Sequence, residues 1–360
     1  MICFINRSTV DFDIRLNKYV QACKTTNTPY FVLGWDRLLN AKFVDDHERQ
    51  LKIYSPYTQG KKIIPLLMWF LFVWYYLIKD FRKYKVIHAC NMENFLLVLP
   101  FKLLGKKIIF DIYDSQIVSI EQKIIPFADT LILPHEKRLE QIGLPTENVK
   151  NLFVVENAPA LDYELKPLSP REDDKIHLSY VGTFQRKYRG LENLLEFVMN
   201  NEKFILDIAG TGAEMEGMVK QYTQKCNRII YHGKVLYTDA LEIMHNSDFV
   251  IAMYYTCAPI HKYASPNKFH ESLFLGRPVV TSANTLIGER VLKNNTGYVV
   301  DDTLAGLASA FDGYGTESYM KDYKQKCRNC INIWEKEYKN YRTHWLEGEY
   351  MKLVRTLAAK

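Results

Sequence analysis

The sequence lacks a cysteine framework. Its seven cysteines (Cys3, Cys23, Cys90, Cys226, Cys257, Cys327 and Cys330) are odd in number and scattered over 360 residues. That excludes a disulfide-stapled scaffold and fits a reducing compartment. Cys327 and Cys330 form a lone Cys-x-x-Cys without a second pair or a nearby histidine, so zinc and redox chemistry are not expected. Glycine and proline are sparse, 17 and 13 residues, which excludes collagen-like and low-complexity architectures. Met1-Ile2-Cys3-Phe4-Ile5 has no basic segment leading a long apolar run, so no signal peptide is expected. Charge imbalance is also modest: 47 Lys and Arg against 41 Asp and Glu leave +6.

What is present is ordinary globular composition, 48% hydrophobic, in a chain long enough for about two domains. Short apolar runs alternate with amphipathic stretches. Ile2–Ile5, Tyr30–Leu33, Val86–Ala89, Lys107–Phe110 and Thr130–Leu133 read as strands, and Leu16, Tyr19, Val20 and Cys23 fall at helical spacing. Residues 159–175 carry three prolines and no periodicity and read as a linker. The pattern then restarts with strands at Ile176–Val181, Phe204–Ile208, Ile229–Tyr231, Phe249–Ala252 and Pro278–Thr281. Helices are expected at Leu191–Met199 and Ala213–Gln224, and one or two more, rich in Tyr and Trp, over 317–354. Strands separated by helices imply an α/β chain of two Rossmann-like, doubly wound domains. The expected division is 1–158, a linker at 159–175, 176–330, and closing helices over 331–360 that cross back to the first domain. Ligands of such sheets bind outside the strand carboxyl ends, here in a cleft that the two domains face.

Three segments carry chemistry. In Ser265-Pro266-Asn267-Lys268-Phe269-His270-Glu271, Ser265 is expected to cap a helix that Gly276 ends. The N–H groups of Asn267, Lys268 and Phe269 form an anion site to which Lys268 adds a charge. Glu271 can accept from two vicinal hydroxyls. Gly182-Thr183-Phe184-Gln185-Arg186-Lys187-Tyr188-Arg189-Gly190 follows a strand, and its Arg189 can fork onto phosphate oxygens. Gly210-Thr211-Gly212 is not a dinucleotide fingerprint, because Met215 holds the third glycine position.

Gly182 with Arg189-Gly190-Leu191, Gly210-x-Gly212, Tyr231-His232-Gly233-Lys234-Val235, and Pro266-Asn267-Lys268-x-x-Glu271 with Gly276-x-Pro278-Val279 occur in that order. Together they resemble the donor half of a GT-B glycosyltransferase, close to retaining glycosyltransferase family 4. Asp13-x-Arg15, Gly34-Trp35-Asp36-Arg37, Ile87-His88-Ala89, Phe110-Asp111-Ile112-Tyr113-Asp114 and Ala128-Asp129-Thr130-Leu131-Ile132 resemble the acceptor half. The resemblance implies a nucleotide-sugar donor (a UDP- or GDP-sugar), no obligatory cofactor and no metal. It places the diphosphate on Arg189, Lys268 and the N–H groups at Asn267–Phe269, the ribose on Glu271, and the base along His232, Gly233, Lys234 and Val235, with Gly182, Gly210 and Pro266 beside the donor. Asp111, Tyr113 and Asp114 would join Arg189 and Lys268 as catalytic residues, and Arg7 and Arg15 would face the acceptor.

The chain departs from the family pattern at several positions. Tyr263 stands where an acid is expected eight residues before Glu271, Tyr113 where a histidine is expected, and Thr183 where an arginine is frequent. Arg186 or Lys187 stands as a replacement for that basic group. The first loop, Asn6-Arg7-Ser8-Thr9, lacks the usual glycines. The implied reaction is transfer of a sugar, with retention, to a glycan or lipid-linked glycan in surface-polysaccharide assembly. The alternatives are another GT-B enzyme, such as a nucleotide-sugar epimerase or phosphorylase, or a catalytically weak nucleotide-sugar-binding protein.

The charge is concentrated. Residues 61–107 hold nine Lys and Arg against Asp80 and Glu93, more than the whole chain's excess. Within them Ile63–Ile78 has sixteen residues without a charge and six aromatics. This is short of the roughly 20 residues of a membrane span. It reads as a buried helix, an interfacial helix or a span, the first two being compatible. The interfacial reading puts Trp69, Phe72, Trp74, Lys79, Arg82 and Lys83 toward an anionic membrane, on the cytoplasmic face. Because the aromatics form one uncharged block, nucleic acid is not an expected partner.

Overall fold

The computed structural model describes residues 1–41, 43–55, 63–114, 117–160, 163–168 and 173–359. The chain divides into two compact units, Met1–Glu156 with Asn340–Lys360, and Asn157–Lys339. The proline-bearing segment 159–175 thus falls within the second unit, apart from positions outside the described residues. The closing segment divides at 339/340, and its last part belongs with the first unit.

The first unit is built on a seven-stranded parallel sheet. In chain order its strands are β1 (Ile2–Ile5), β2 (Tyr30–Asp36), β3 (Glu48–Lys52), β4 (Val86–Cys90), β5 (Lys107–Asp111), β6 (Thr130–Leu133) and β7 (Leu152–Val154), in spatial order β3-β2-β1-β4-β5-β6-β7. β1, β4 and β6 are fully buried along their length, as helices on both faces require. The second unit has six parallel strands: β8 (Ile176–Thr183), β9 (Phe204–Thr211), β10 (Ile229–Tyr231), β11 (Phe249–Ala252), β12 (Val279–Ser282) and β13 (Gly297–Val300), in order β10-β9-β8-β11-β12-β13. In each sheet the strand order reverses once, between β1 and β4 and between β8 and β11. These are the switch points at which parallel sheets open a crevice at their carboxyl edge.

β3, β7 and β13 were not expected from the sequence. β3 reads Glu-Arg-Gln-Leu-Lys and is an edge strand, so it carries no apolar signature. β7 and β13 are also edges and only three and four residues long. After the helix Glu317–Ile333 the chain continues through π-helical turns at Trp334–Tyr338 and Arg342–Tyr350 into the helix Met351–Ala359.

The apolar helix Ile63–Lys79 packs one stripe on the first sheet: Pro65, Trp69, Val73 and Leu77 are buried at a spacing of four. Trp69 stacks on Trp35 at 5.7 Å and donates its indole N–H to Asn94 Oδ1 at 2.9 Å. Phe72 stacks on Trp69, and Trp74 donates to the carbonyl of Leu97 at 3.0 Å. The expectation that Trp69, Phe72 and Trp74 face a membrane is therefore corrected. Trp69 is enclosed in the core, and Phe72 and Trp74 are half-buried against it, with both indoles finding partners on the neighbouring helix. Lys79, Arg82 and Lys83 are exposed, and Lys61 and Lys62 lie outside the described residues. Among the described residues no helix is long and apolar enough to cross a membrane.

Trp69→Ala is expected to lower unfolding stability by about 3–5 kcal/mol through the cavity it leaves. Leu71→Ala, on the exposed side of the same helix, should change it by less than about 0.5 kcal/mol. Urea unfolding of both variants checks the inward register.

Candidate active site

The second unit's switch point gathers several of the expected donor residues. Near the end of β8 is Gly182, whose φ of +133° only glycine adopts readily, and a Cβ there would lie 2.6 Å from Lys268 Nζ. Gly182 thus leaves room for the Lys268 ammonium over the end of its own strand. Lys268 is in the first turn of the helix Asn267–Leu275, whose amino end points N–H groups at the same edge. This helix begins after Pro266, not with a side-chain cap from Ser265. Ser265 Oγ is buried without a hydrogen-bond partner among the described residues, and its carbonyl accepts from Asn157 Nδ2 at 2.7 Å. One turn further in, Glu271 is buried and accepts from the Tyr237 hydroxyl at 2.9 Å. Burial, and the carboxylate beside it, raise the Tyr237 pKa well above its ordinary value, so the phenol keeps its proton and holds Glu271 in one orientation.

Arg189 comes from the loop after β8. Its guanidinium lies 4.3 Å from the ring centre of Tyr254, just past β11, so it stands over the crevice between those strands. The loop is pinned there: Tyr255 N–H donates to the carbonyl of Tyr188 at 2.9 Å, and Asn193 Nδ2 to the Tyr255 hydroxyl at 2.6 Å. A side chain on Gly190 would strike Met253 and Tyr255. Arg186 is exposed on the same loop. The sequence offered no signal for Tyr237 or Tyr254, because each is recognised only through the charged group it meets in space.

Two further segments build this edge. A Cβ on Gly210 would come within 1.8 Å of the Gly182 carbonyl, so this glycine permits the close approach of β9 to β8. In the segment His232–Val235, the His232 N–H donates to the Ile208 carbonyl and the Gly233 carbonyl accepts from Gly210 N–H. His232 Nε2 pairs with Asp207 at 2.7 Å. The His232 N–H and the Gly233 carbonyl thus extend the sheet edge.

Residues 175–313 match the family model described as glycosyl transferases group 1. Among solved structures the chain is similar to a sucrose-phosphate synthase from Thermosynechococcus elongatus (TM-score 0.75, 16% identity, 99% of each chain covered). It is also similar to Anabaena HepE in complex with UDP (0.71, 13%, 99% of each). A third similar structure is WaaG, a glycosyltransferase involved in lipopolysaccharide biosynthesis (0.66, 10%, 100% of each). No curated protein sequence matches the chain. The fold is GT-B, and the residues that match the group 1 model lie in the second unit.

The first GT-B unit places a buried polar cluster at the carboxyl edge of β4 and β5. Asp111 is fully buried and accepts from Arg15 Nη2 at 2.8 Å and from the Tyr19 hydroxyl at 2.8 Å, and His88 Nε2 lies 3.2 Å away. Burial pushes the carboxyl up, but the Arg15 charge and the His88 contact outweigh it and hold its pKa at about 2. With Asp111 ionised, His88 Nε2–H donates to it, leaving Nδ1 to accept from the Tyr350 hydroxyl at 2.7 Å. The expected roles of Asp111 in catalysis and Arg15 in acceptor binding are therefore corrected. Both are enclosed, and each neutralises the other. Arg7 is ion-paired with Glu93 at 3.0 Å. Tyr113 is half-buried under the Arg15 guanidinium at 5.3 Å, and Asp114 is largely exposed and paired with Arg138. Among the described residues no group of three or more His, Cys, Asp or Glu is placed to hold a metal ion.

Burial lowers the His88 pKa, so the ring is neutral when folded and takes up a proton more readily when unfolded. Stability should fall as pH drops below about 6.5, the ordinary histidine value. His88→Gln should flatten that slope, as read by urea unfolding across the range, and an unchanged slope would reject the assignment. The Asp111 contribution is fully present above about pH 3.9 and is lost as pH falls toward about 2. Asp111→Asn should cost about 3–5 kcal/mol by leaving Arg15 buried without its counter-charge.

Proposed function

We propose that this protein is a glycosyltransferase that moves a sugar from a UDP-sugar, with retention of configuration, to a glycan or lipid-linked glycan acceptor. The observation that carries this reading is the Lys268 ammonium over the Gly182 end of β8, at the amino end of the helix Asn267–Leu275. Glu271 stands behind it, fixed by Tyr237. An ammonium and a helix N-terminus converging on one point suit a diphosphate. A buried, oriented carboxylate one turn away suits the two hydroxyls of a ribose. Similar structures bind such donors: HepE was solved with UDP-glucose, and the E. coli trehalose-6-phosphate protein with UDP-2-fluoro glucose.

In this reading Lys268, the first-turn N–H groups and Arg189 hold the diphosphate and stabilise the charge that grows on it as the glycosidic bond breaks. The acceptor hydroxyl attacks from the side the diphosphate leaves, and a diphosphate oxygen takes its proton. No protein nucleophile is required, and no metal. Asp114, largely exposed on the first unit, is the sugar contact in this reading, and Tyr113 packs behind it. Surface-polysaccharide assembly at the cytoplasmic face of a membrane is the setting we favour, supported by the resemblance to WaaG.

Calorimetry tests the donor site. Wild-type protein should bind UDP more tightly than GDP. Lys268→Ala and Glu271→Ala should each weaken UDP binding by roughly 10- to 100-fold, the worth of one charge-assisted hydrogen bond. Unchanged UDP affinity in both variants would sink the assignment. Turnover of a UDP-sugar to an isomer with no acceptor present would instead favour an epimerase.

A further inference from the structure

The apolar helix Ile63–Lys79 has a second face that its packing leaves open. Opposite the buried stripe lie Ile63, Ile64, Leu67, Met68, Leu71, Tyr75 and Ile78, all exposed. Ile63 is 81%, Ile64 72% and Ile78 61% accessible. A surface helix normally turns charge to this side, and here no charge occurs before Lys79. The patch has an apolar neighbour. Trp74 packs edge-on against Phe101 at 5.4 Å, and just beyond it Leu103 is 91% and Leu104 60% exposed. At the helix carboxyl end the surface becomes cationic. Lys79, Arg82 and Lys85 are exposed, with Lys79 Nζ 5.5 Å from the Tyr75 ring centre. The one acid of residues 63–85 is Asp80, which is buried and paired with Arg49 and Lys83.

We infer that this outer face is a docking surface for an anionic lipid bilayer, with the helix lying in the plane of the interface. Three observations fix the occupant. The helix has 17 residues, about 25 Å, and one side of it is committed to the core, so it cannot span a bilayer. Its open side is apolar without interruption, as insertion among acyl chains requires. Its rim is cationic with no exposed acid in the segment, which complements lipid phosphates, and Tyr75 beside Lys79 is an amphipathic pair suited to headgroup depth. A second copy of the chain is disfavoured, because a twofold contact would bring both cationic rims into one interface. The inward Trp69, Phe72 and Trp74 take no part. The inference stands on the first unit alone and does not depend on the donor assignment.

Cosedimentation of the full chain with phosphatidylcholine vesicles, with and without phosphatidylglycerol, tests it. Binding is expected only with phosphatidylglycerol, and release at high salt. Leu71→Glu with Ile78→Glu should abolish binding, while leaving the urea midpoint and UDP affinity at wild-type values. Lys79→Gln with Arg82→Gln should weaken it by roughly fivefold per charge removed. The idea is overturned if wild-type protein ignores phosphatidylglycerol vesicles at low salt. It is equally overturned if the Leu71/Ile78 variant binds as wild type does, or if those substitutions instead dissolve a concentration-dependent dimer that does not bind vesicles. Loss of UDP binding by Lys268→Ala with vesicle binding intact would separate the two proposals.

Discussion

Parallel pairing is the constraint on which the rest depends. Two parallel strands cannot be joined by a tight turn, so every connection crosses over a face and every strand in a sheet ends on the same edge. Both sheets here are wholly parallel along their registers. All groups that a strand or following loop can offer a ligand therefore collect at one edge, and the reversal of strand order opens that edge at one place. Gly182, Arg189 and Lys268 converge because β8 and β11 flank that reversal.

The two units use their carboxyl edges differently. In the second, charged groups stand open: Lys268 over the strand end and Arg189 over the β11 side, each set against an aromatic ring or a helix end. In the first, the corresponding region is closed on itself. Asp111, Arg15, Tyr19 and His88 satisfy one another, and Tyr350 joins them from the far end of the chain. A buried ion pair contributes little net stability against an apolar replacement but is costly to break by halves. Its consequence here is positional: it ties residues 340–360 to the first unit through a hydrogen bond that cannot be exchanged for water.

Burial separates the two sides of the apolar helix just as sharply. Tryptophan goes inward, where Asn94 and the Leu97 carbonyl satisfy its N–H, and aliphatic residues remain outside. Residue type alone would have reversed that choice, since tryptophan favours interfaces. What decided it was the four-residue spacing of Pro65, Trp69, Val73 and Leu77 set against the sheet.

The sequence by itself determined the class of fold. Apolar runs at strand length, separated by helical periods, demand a doubly wound parallel arrangement, and the order of Gly182, Gly210, His232 and Pro266-Asn267-Lys268 carried the GT-B resemblance. It also marked Lys268 and Glu271, because a proline-led helix start with a lysine and an acid one turn apart is a local pattern. Three edge strands escaped it: β3 is polar, and β7 and β13 are apolar but too short to show a period. Tertiary structure alone decided which charged residues are open. Asp111 and Arg15 are 96 positions apart, and nothing in either neighbourhood tells that they enclose each other. Local sequence encodes propensity and period, but the state of a charge depends on what lies opposite it, and in a parallel sheet that neighbour comes from a distant part of the chain.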